Sequence, residues 1–337
     1  PRGRRVTLDE IQGQDRTVGL LRRAIENGRL AHAFIFAGPA GVGKRATALA
    51  LARAVLCPER PNAGCGTCID CRLVGAGTHP DLFLEDLAAA QAERATASML
   101  SIEQIRRVCA SLSLRPARGS GKVGVVDQAE RLTAEAQNAL LKTLEEPRGR
   151  ATLVLVTSNL DALLPTIRSR CQRLLFAPLD DAMVASLLER EGIAADVASR
   201  AAALADGSLD RARELTSDAG WTRCEDLRSR LEQIDRLSIP ERLDLAGELS
   251  PRGERNRSQQ ALTTATVLGS FRDLMLAAAR DAAAAGDPDD DHERLAAVRR
   301  AHRRMANVYA SVRDLERNAN ANLTWDRLLL DLGERRG

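Results

Sequence analysis

The segment 38–44, Gly-Pro-Ala-Gly-Val-Gly-Lys, has residue types and a spacing that suit phosphate binding. It fits the pattern G-x-x-x-x-G-K, in which glycines let backbone N–H groups turn towards phosphate oxygens and the lysine reaches the terminal phosphates. A helix that begins at such a loop adds a favourable dipole for an anion. We therefore predict a nucleotide-binding loop, rather than a plain glycine-rich turn, with four contact residues: Gly38, Gly41, Gly43 and Lys44.

The residue that follows the loop lysine is unusual for an ATP-hydrolysing site. That position normally carries Ser or Thr, whose hydroxyl helps to hold Mg²⁺, but here it is Arg45. A permanently charged guanidinium cannot ligate Mg²⁺ and repels it. Thr47 offers a hydroxyl two positions later, on another face of the predicted helix, and is a poor substitute. The sequence therefore predicts a defective magnesium site.

A second departure lies at the acidic motif Val123-Gly-Val-Val-Asp127, where a predicted strand ends in a carboxylate that could help to hold a metal. The next position, which in many ATPases of this class is a Glu that orients water, is Gln128. An amide cannot act as a general base. Two independent departures predict lost hydrolysis. The alternative is a divergent ATPase that uses Asp127 and Glu130 with Mg²⁺.

Four of the seven cysteines crowd into one short segment. Their spacing is C-x7-C-x2-C-x2-C, and nearby Pro and Gly residues supply turns, which suits tetrahedral Zn²⁺. Redox and iron–sulfur chemistry are the alternatives. Four thiolates leave no open position, so we predict a structural zinc site rather than a catalytic one. The predicted ligands are Cys57, Cys65, Cys68 and Cys71. We expect the other three cysteines to be small buried residues.

The elements that must position these residues can be read from short apolar runs. Residues 33–37, 123–126 and 153–156 lack polar alternation, which is typical of strands in a parallel sheet covered on both faces. Amphipathic stretches such as 45–56 and 101–111 alternate with them, so an α/β domain is predicted. After about residue 178 the pattern is helical to the end of the chain.

Composition excludes several function classes. The chain has 337 residues, a formal charge of +3 and only 2% aromatic residues. A nearly balanced charge and scarce aromatics argue against a standalone nucleic-acid-binding zinc protein that stacks bases or covers many phosphates. We find no apolar run long enough to span a membrane and no secretory signal behind the basic start. We expect a soluble, cytoplasmic protein.

Several motifs in this order resemble the subunits of bacterial replicative clamp loaders, in the AAA+ superfamily. They are Ala31-His-Ala33, the inserted cysteines, the ten-residue string Asn138-Ala-Leu-Leu-Lys-Thr-Leu-Glu-Glu-Pro147, Thr157-Ser-Asn159 and Ser169-Arg-Cys171. The resemblance implies an AAA+ P-loop α/β domain over 1–178 with the cysteine module 57–71 inserted. It implies a small helical lid over 179–217 and an all-α collar domain for oligomerisation over 218–337.

Two relatives within this family compete. The ATP-hydrolysing gamma/tau type should show G-K-T or G-K-S and an Asp-Glu pair, and this chain departs at both places. The string 76–81, Ala-Gly-Thr-His-Pro-Asp, and the strand entry 121–123 look more like the delta-prime type of DNA polymerase III. The lid arginine of active relatives is also displaced, because Gly207-Ser-Leu is followed by Asp210, with Arg211 one place late.

The resemblance assigns roles to further residues. It implies that Arg170 is an arginine finger acting in trans on a neighbour's ATP, where the residue alone suggests only a surface salt bridge. Thr157 and Asn159 match a polar sensor. The degenerate pocket, which includes Arg45, Asp127, Gln128 and Asn159, leaves ATP binding open, but we expect no turnover by the isolated chain. Implied partners are gamma/tau and delta subunits in a hetero-oligomeric ring of the DNA polymerase III holoenzyme, which loads a sliding clamp on primed DNA.

Overall fold

The computed structural model describes residues 6–249 except 96 and 148, residues 263–280 except 265, 268, 273, 275 and 278, and residues 291–316 and 319–332. The chain divides into two compact units, Pro1–Met183 and Val184–Gly337. No helix in the described part of the chain is both long enough and apolar enough to cross a bilayer.

The first unit is built on a five-stranded sheet with the order β2-β3-β4-β1-β5. All four pairs of neighbouring strands are parallel. The strands are β1 (Ala33–Ala37), β2 (Leu82–Glu85), β3 (Lys122–Val126), β4 (Ala151–Thr157) and β5 (Gln172–Leu175). The parallel sheet confirms the predicted α/β fold class. The apolar runs predict the three central strands, whereas the two edge strands, β2 and β5, are not predicted by such runs.

Helices cover both faces of this sheet. They are α1 (Asp15–Glu26), α2 (Lys44–Leu56), α3 (Ile69–Ala76), α4 (Leu87–Glu93), α5 (Ile102–Leu112), α6 (Ala134–Glu145) and α7 (Pro165–Arg168), and α8 (Asp181–Glu189) begins at the end of the unit. Because strand side chains alternate, Phe34 and Phe36 pack in one apolar cluster with α1 and α2. Ile35 packs on the opposite face in a second cluster, with α5 and α6.

The topology brings the residues of the candidate site to the same end of the parallel strands. The phosphate loop follows β1, Asp86 follows β2, Asp127 follows β3 and the polar turn 157–159 closes β4. In a parallel sheet these are all carboxyl ends, where ligands bind in open α/β folds. The helix α2 is rich in Ala, the best helix former, and starts directly at Lys44.

The second unit contains helices and turns, and no strand, among its described residues. Its further helices are α9 (Ala195–Leu204), α10 (Leu209–Leu215), α11 (Asp218–Glu232), α12 (Ile239–Leu249), α13 (Asp291–Glu316) and α14 (Ala321–Leu332). A buried apolar cluster of this unit includes Trp325, Phe271 and Leu231. The predicted end of the strands near residue 178 is confirmed. The boundary between lid and collar stays a prediction, and parts of the predicted collar lie outside the described residues.

Candidate functional site

The phosphate loop has the backbone that its glycines permit. Gly41 and Gly43 have φ values of +76° and +96°, in the region that favours glycine. A Cβ atom at Gly38 would lie 2.3 Å from the carbonyl oxygen of Phe176, so this position requires a residue without a side chain. The motif therefore folds as the tight turn that the sequence predicts.

Lys44, the loop lysine, is bound to the loop itself. Its Nζ donates to the carbonyl oxygen of Gly38 over 2.6 Å and also to that of Pro39. The residue is only 7% exposed. The ammonium is thus fixed inside the turn, next to where the motif would place phosphate oxygens.

Arg45 makes the most informative contact in the pocket. Its Nη1 donates to Asp86 Oδ2 over 2.6 Å and to Asp127 Oδ2 over 2.8 Å. Both carboxylates are only 16% exposed. Burial disfavours the cation, but the hydrogen bonds to Asp127 and Asp86 outweigh it and raise the pKa of Arg45. One guanidinium nitrogen therefore bridges two acidic groups that follow neighbouring strands.

Asp86 is a site residue that the sequence pattern does not reveal. It is the N-cap of α4, where its side chain accepts from the backbone N–H of Ala89. As an N-cap it has an ordinary structural explanation. What could identify Asp86 is its position directly after β2, the strand that pairs with β3, which is followed by Asp127. That identification depends on β2, a strand without a buried apolar run.

The two residues considered for the general base are both held locally. Gln128 is in the left-handed region, with φ 57° and ψ 47°, and its N–H donates to Asp127 Oδ1 over 2.9 Å. Such a backbone is strained for a residue other than glycine. Glu130 accepts from Ser158 through both carboxylate oxygens, at 2.8 Å from Oγ and 3.3 Å from N. These bonds tie Glu130 to the turn after β4.

The predicted polar sensor forms a closed local network. Thr157 Oγ1 donates to the carbonyl oxygen of Asn159 over 2.9 Å and accepts from its N–H over 3.0 Å. The Asn159 side chain caps the following turn by accepting from the N–H of Asp161. Thr47 Oγ1 donates to the carbonyl oxygen of Gly43, within its own helix. The structure therefore uses these groups to hold turns.

Arg170 lies between α7 and β5. Its Nη2 pairs with Glu145 Oε1 at 2.7 Å, and its Nη1 donates to the carbonyl oxygen of Thr166 over 3.1 Å. The side chain is 36% exposed. Ile167, three residues before it, and Cys171, directly after it, are buried. The residue thus presents a partly exposed guanidinium on a well-packed backbone.

The four predicted zinc ligands come together. Their Sγ atoms all lie within 4.8 Å of one another, and the pairs 57–68 and 65–71 are 3.8 and 3.9 Å apart. A tetrahedral site with Zn–S bonds of about 2.3 Å needs sulfurs about 3.8 Å apart. The sulfurs of Cys57, Cys65 and Cys68 also accept backbone N–H bonds, which suit thiolates. The residues present therefore fit a bound Zn²⁺.

The cysteines differ in their own proton affinity. The backbone N–H groups of Cys68 and Thr67 lower the pKa of Cys65 to about 6. Burial raises the pKa of Cys71 to about 12. Burial likewise raises the pKa of the isolated Cys171 to about 12, so that residue is an inert thiol at neutral pH. Cys171 and Cys224 are buried, as predicted, and Cys109 is half-buried.

The cysteine module is tied to neighbouring segments by buried and partly buried polar contacts. Arg53 of α2 donates to the carbonyl oxygens of Cys71 and Val6. Asp70, between two of the cysteines, accepts from Arg118 Nε over 2.8 Å and lies 3.2 Å from His79 Nε2. Hydrogen bonding to Arg118 lowers the pKa of Asp70. These contacts join the module to the helix that carries the phosphate loop.

The string 76–81 holds the neighbouring loop through hydrogen bonds. Asp81 is fully buried and accepts from three successive backbone N–H groups of residues 117–119, at 2.7, 2.8 and 3.0 Å. Its own N–H donates to His79 Nδ1. The string thereby fixes the loop that leads into β3.

Arg211, the displaced lid arginine, lies in the second unit. Its Nη1 pairs with Asp206 Oδ2 at 3.4 Å. Burial lowers the pKa of Arg211.

Comparisons with known proteins support the resemblance. Residues 13–180 match a family model described as "DNA polymerase III, delta subunit". DNA polymerase III subunit delta' of Pseudomonas aeruginosa is 42% identical over 142 residues, which is 42% of this chain and 42% of that protein. Subunit delta' of Bacillus subtilis is 35% identical over 185 residues, 55% of this chain and 54% of that protein. The chain thus spans about half the length of these relatives.

A tau subunit and a solved structure are also similar to this chain. DNA polymerase III subunit tau of Escherichia coli is 33% identical over 220 residues, 63% of this chain and 33% of that protein. A gamma subunit-related protein of Thermotoga maritima superposes with a TM-score of 0.44 and 20% identity, covering 95% of this chain and 99% of that one. A likeness of that size carries no functional argument. The chain, with an α/β domain on a parallel sheet and a mostly helical second half, belongs to the DNA polymerase III clamp-loader subunits of the delta'/gamma/tau type.

Proposed function

We propose that this chain is a delta-prime-like clamp-loader subunit that does not hydrolyse ATP itself and supplies Arg170 to the ATP of a neighbouring subunit. The observation that carries the first half of this proposal is the position of Arg45. Its guanidinium bridges Asp86 and Asp127, the acidic groups at the ends of two adjacent strands. It therefore takes the place that a metal ion would need.

The energetic argument rests on charge. Phosphoryl transfer in P-loop enzymes depends on Mg²⁺ that bridges the terminal phosphates and neutralises developing charge. To bind there, Mg²⁺ would have to displace a guanidinium that already satisfies both carboxylates at 2.6 and 2.8 Å. A second cation next to the first adds repulsion in a half-buried site, where charges are poorly screened. Metal binding is therefore disfavoured twice.

The base is missing as well. Gln128 has no proton-accepting group with the basicity of a carboxylate. Glu130, the alternative base, has both oxygens bonded to Ser158. A divergent ATPase that relies on Glu130 would first have to break those two bonds. The arrangement therefore favours the non-hydrolysing function over the alternative.

ATP binding is a separate matter from ATP hydrolysis. The glycine turn and Lys44 keep the geometry that cradles phosphates. In the proposed function nucleotide binding is therefore allowed, as an inert prop for the fold, and it is not required for the action of Arg170.

Arg170 supports the second half of the proposal. A guanidinium is planar, always charged and able to donate several hydrogen bonds, which suits it to stabilise the charge of a phosphate in transfer. Arg170 is partly exposed, and its backbone is held by buried neighbours. Such a residue can reach a nucleotide held by another subunit without any turnover in its own pocket.

The proposed setting is a cytoplasmic hetero-oligomeric ring. Its other members are gamma/tau and delta subunits of DNA polymerase III, and its task is to load the sliding clamp on primed DNA. Support comes from the similarity to delta' and tau subunits. The helical second unit is proposed to contain the lid and the oligomerisation collar.

Zn²⁺ is proposed as a structural cofactor of the cysteine module. Cys57, Cys65, Cys68 and Cys71 would hold it, and its chemistry there would be to cross-link the loop between α2 and α3. We expect about one equivalent of zinc per purified chain by elemental analysis, as a single closed site requires. Cys68→Ser should lose the metal and lower the melting temperature. Cys109→Ser, outside the module, should keep it; equal metal content in both variants would exclude this site.

The decisive experiment on hydrolysis uses the purified full chain. ATP turnover is measured with and without primed DNA, and a titration with labelled ATP is run in parallel. We expect no turnover above background, because the metal position is occupied by Arg45 and the base is absent. Residual turnover that disappears in both Lys44→Ala and Glu130→Gln would reject the proposal in favour of the divergent ATPase. The titration separates an inert bound nucleotide from an empty pocket.

A further inference from the structure

Glu145, the last residue of α6, forms an ion pair with Arg170. Oε1 of Glu145 lies 2.7 Å from Nη2 of Arg170. On its other branch the guanidinium donates to the carbonyl oxygen of Thr166, over 3.1 Å. The side chain is therefore held at two points, one on α6 and one on α7, and its direction is set by both.

The place of Glu145 in its helix needs an explanation. It ends α6, and Glu146 follows as the C-cap. A helix C-terminus carries partial negative charge, so two acidic residues there are unfavourable for the helix. Neither the capping nor the packing of α6 calls for a carboxylate at this position. An interaction outside the helix is what gives Glu145 a purpose, and the contact that the structure shows is with Arg170.

The backbone of Arg170 is already fixed, so only its side chain remains to be ordered. The N–H of Arg170 donates to the carbonyl oxygen of Ile167, and Ile167 itself is fully buried. The next residue, Cys171, is buried and leads into β5. A free arginine side chain loses rotamer entropy when it is fixed. An anchor that fixes it in advance removes part of this cost from the step in which it meets a neighbour's nucleotide.

We propose that Glu145 is a positioning residue for Arg170, an inference that rests on the trans role of Arg170 proposed above. The carboxylate takes one N–H of the guanidinium and the Thr166 carbonyl takes another. A guanidinium has about five N–H donors, so further donors stay available to the phosphate oxygens of a neighbouring nucleotide. Glu145 itself touches no substrate; it acts through the orientation of Arg170.

A second ion pair nearby offers a matched control. Arg168 Nη1 pairs with Asp161 Oδ1 at 2.7 Å, two residues before Arg170 on the same short segment. Asp161 is 83% exposed, whereas Glu145 is 49% exposed. The two pairs have the same chemistry and the same length, but only one involves Arg170. Asp161→Asn therefore removes an equivalent charge and leaves the pair of Glu145 and Arg170 unchanged.

The test uses the assembled complex with gamma/tau and delta subunits, sliding clamp and primed DNA. Four versions of this chain are compared: wild type, Glu145→Gln, Arg170→Ala and the double variant, with Asp161→Asn as control. We expect Glu145→Gln to lower kcat at the neighbouring site about 3- to 30-fold, which lies within the range of coupling between contacting residues. KM for ATP and complex mass should not change. Glu145→Asp should recover part of the rate.

The double variant gives the sharpest reading. If Glu145 acts only through Arg170, adding Glu145→Gln to Arg170→Ala should cause no further loss. A wild-type or faster rate in Glu145→Gln, while Arg170→Ala is slow, overturns the positioning role and leaves the proposed function intact. The same holds if the losses simply add. If Arg170→Ala has no effect, the trans role fails and the inference about Glu145 fails with it.

Discussion

The phosphate-loop pocket and the surface around Arg170 each contain an arginine, and the two arginines have different partners. In the pocket, Arg45 is bound by two carboxylates that are each only 16% exposed. At the surface, Arg170 has one carboxylate partner, which is about half exposed, and one backbone carbonyl. Arg45 donates to both carboxylates within the pocket. The two arginine side chains are similarly exposed, 41% for Arg45 and 36% for Arg170, so the difference lies in the burial of their carboxylate partners.

This difference separates structural from chemical use of the same side chain. Charges at short distance interact more strongly where water is excluded, whereas an exposed pair is worth little. The bridge of Arg45 is therefore hard to open, and it joins α2 to the ends of β2 and β3 as a metal ion would. The pair of Arg170 and Glu145 uses one branch of the guanidinium and leaves further N–H donors available to a phosphate. The proposed chemistry therefore belongs to Arg170 and not to Arg45.

The largest effect that tests this comparison is expected from Arg170→Ala. An arginine finger is worth about 10³-fold or more in phosphoryl transfer. In the assembled complex, hydrolysis at the site next to this chain should fall by that order, because the proposed stabilising charge is removed. Rapid-quench measurement of the first turnover should show the loss of the amplitude that this site contributes. Complex mass, measured by light scattering, should not change.

Arg168→Ala is the matched control for that experiment. Arg168 lies in the same segment and pairs with the exposed Asp161. We expect its removal to leave the first-turnover amplitude within about twofold of wild type, as for an ordinary surface pair. Equal losses in Arg168→Ala and Arg170→Ala would show that the segment matters only as packing. In that case the contrast between pocket and surface would have no functional meaning.

The sequence predicts the middle of the sheet well and its edges poorly. The central strands are buried on both faces, and their unbroken apolar runs announce this. The edge strand β5 has one buried residue among its four, so it has no such run. The second, helical unit is predicted because long stretches keep helical periodicity. In each case, the number of buried faces of an element decides how well the sequence predicts it.

The site shows the same limit at the level of single residues. Motif spacing predicts the phosphate loop, Asp127 and the four cysteines, because their partners lie close in the chain or in a known pattern. It does not predict Asp86 or Glu145, whose importance comes from pairs that form only when distant elements meet. Arg45 is visible in the sequence as a missing hydroxyl. Its bridge to two carboxylates is visible only in the folded chain.

A smaller effect, from Arg45→Thr, sharpens the comparison from the side of the pocket. The change removes the bridging cation and places a hydroxyl where P-loop enzymes carry one. Asp86 and Asp127 would then be free to accept a metal. With a dissociation constant of about 1 mM, 10 mM Mg²⁺ would stabilise the variant by about 1.4 kcal/mol. Calorimetry at increasing Mg²⁺ concentrations should show that the melting temperature of the variant rises, whereas that of the wild type does not change.

Two further variants decide what that result means. Arg45→Lys keeps a cation and should show no response to Mg²⁺, because the carboxylates stay neutralised. Arg45→Thr combined with Asp127→Asn should lose the response, since one of the two acidic ligands is gone. A melting temperature of Arg45→Thr that ignores Mg²⁺ would mean that the two carboxylates are not a replaced metal site. Even where Mg²⁺ binds, hydrolysis should stay absent as long as Gln128 occupies the place of the base.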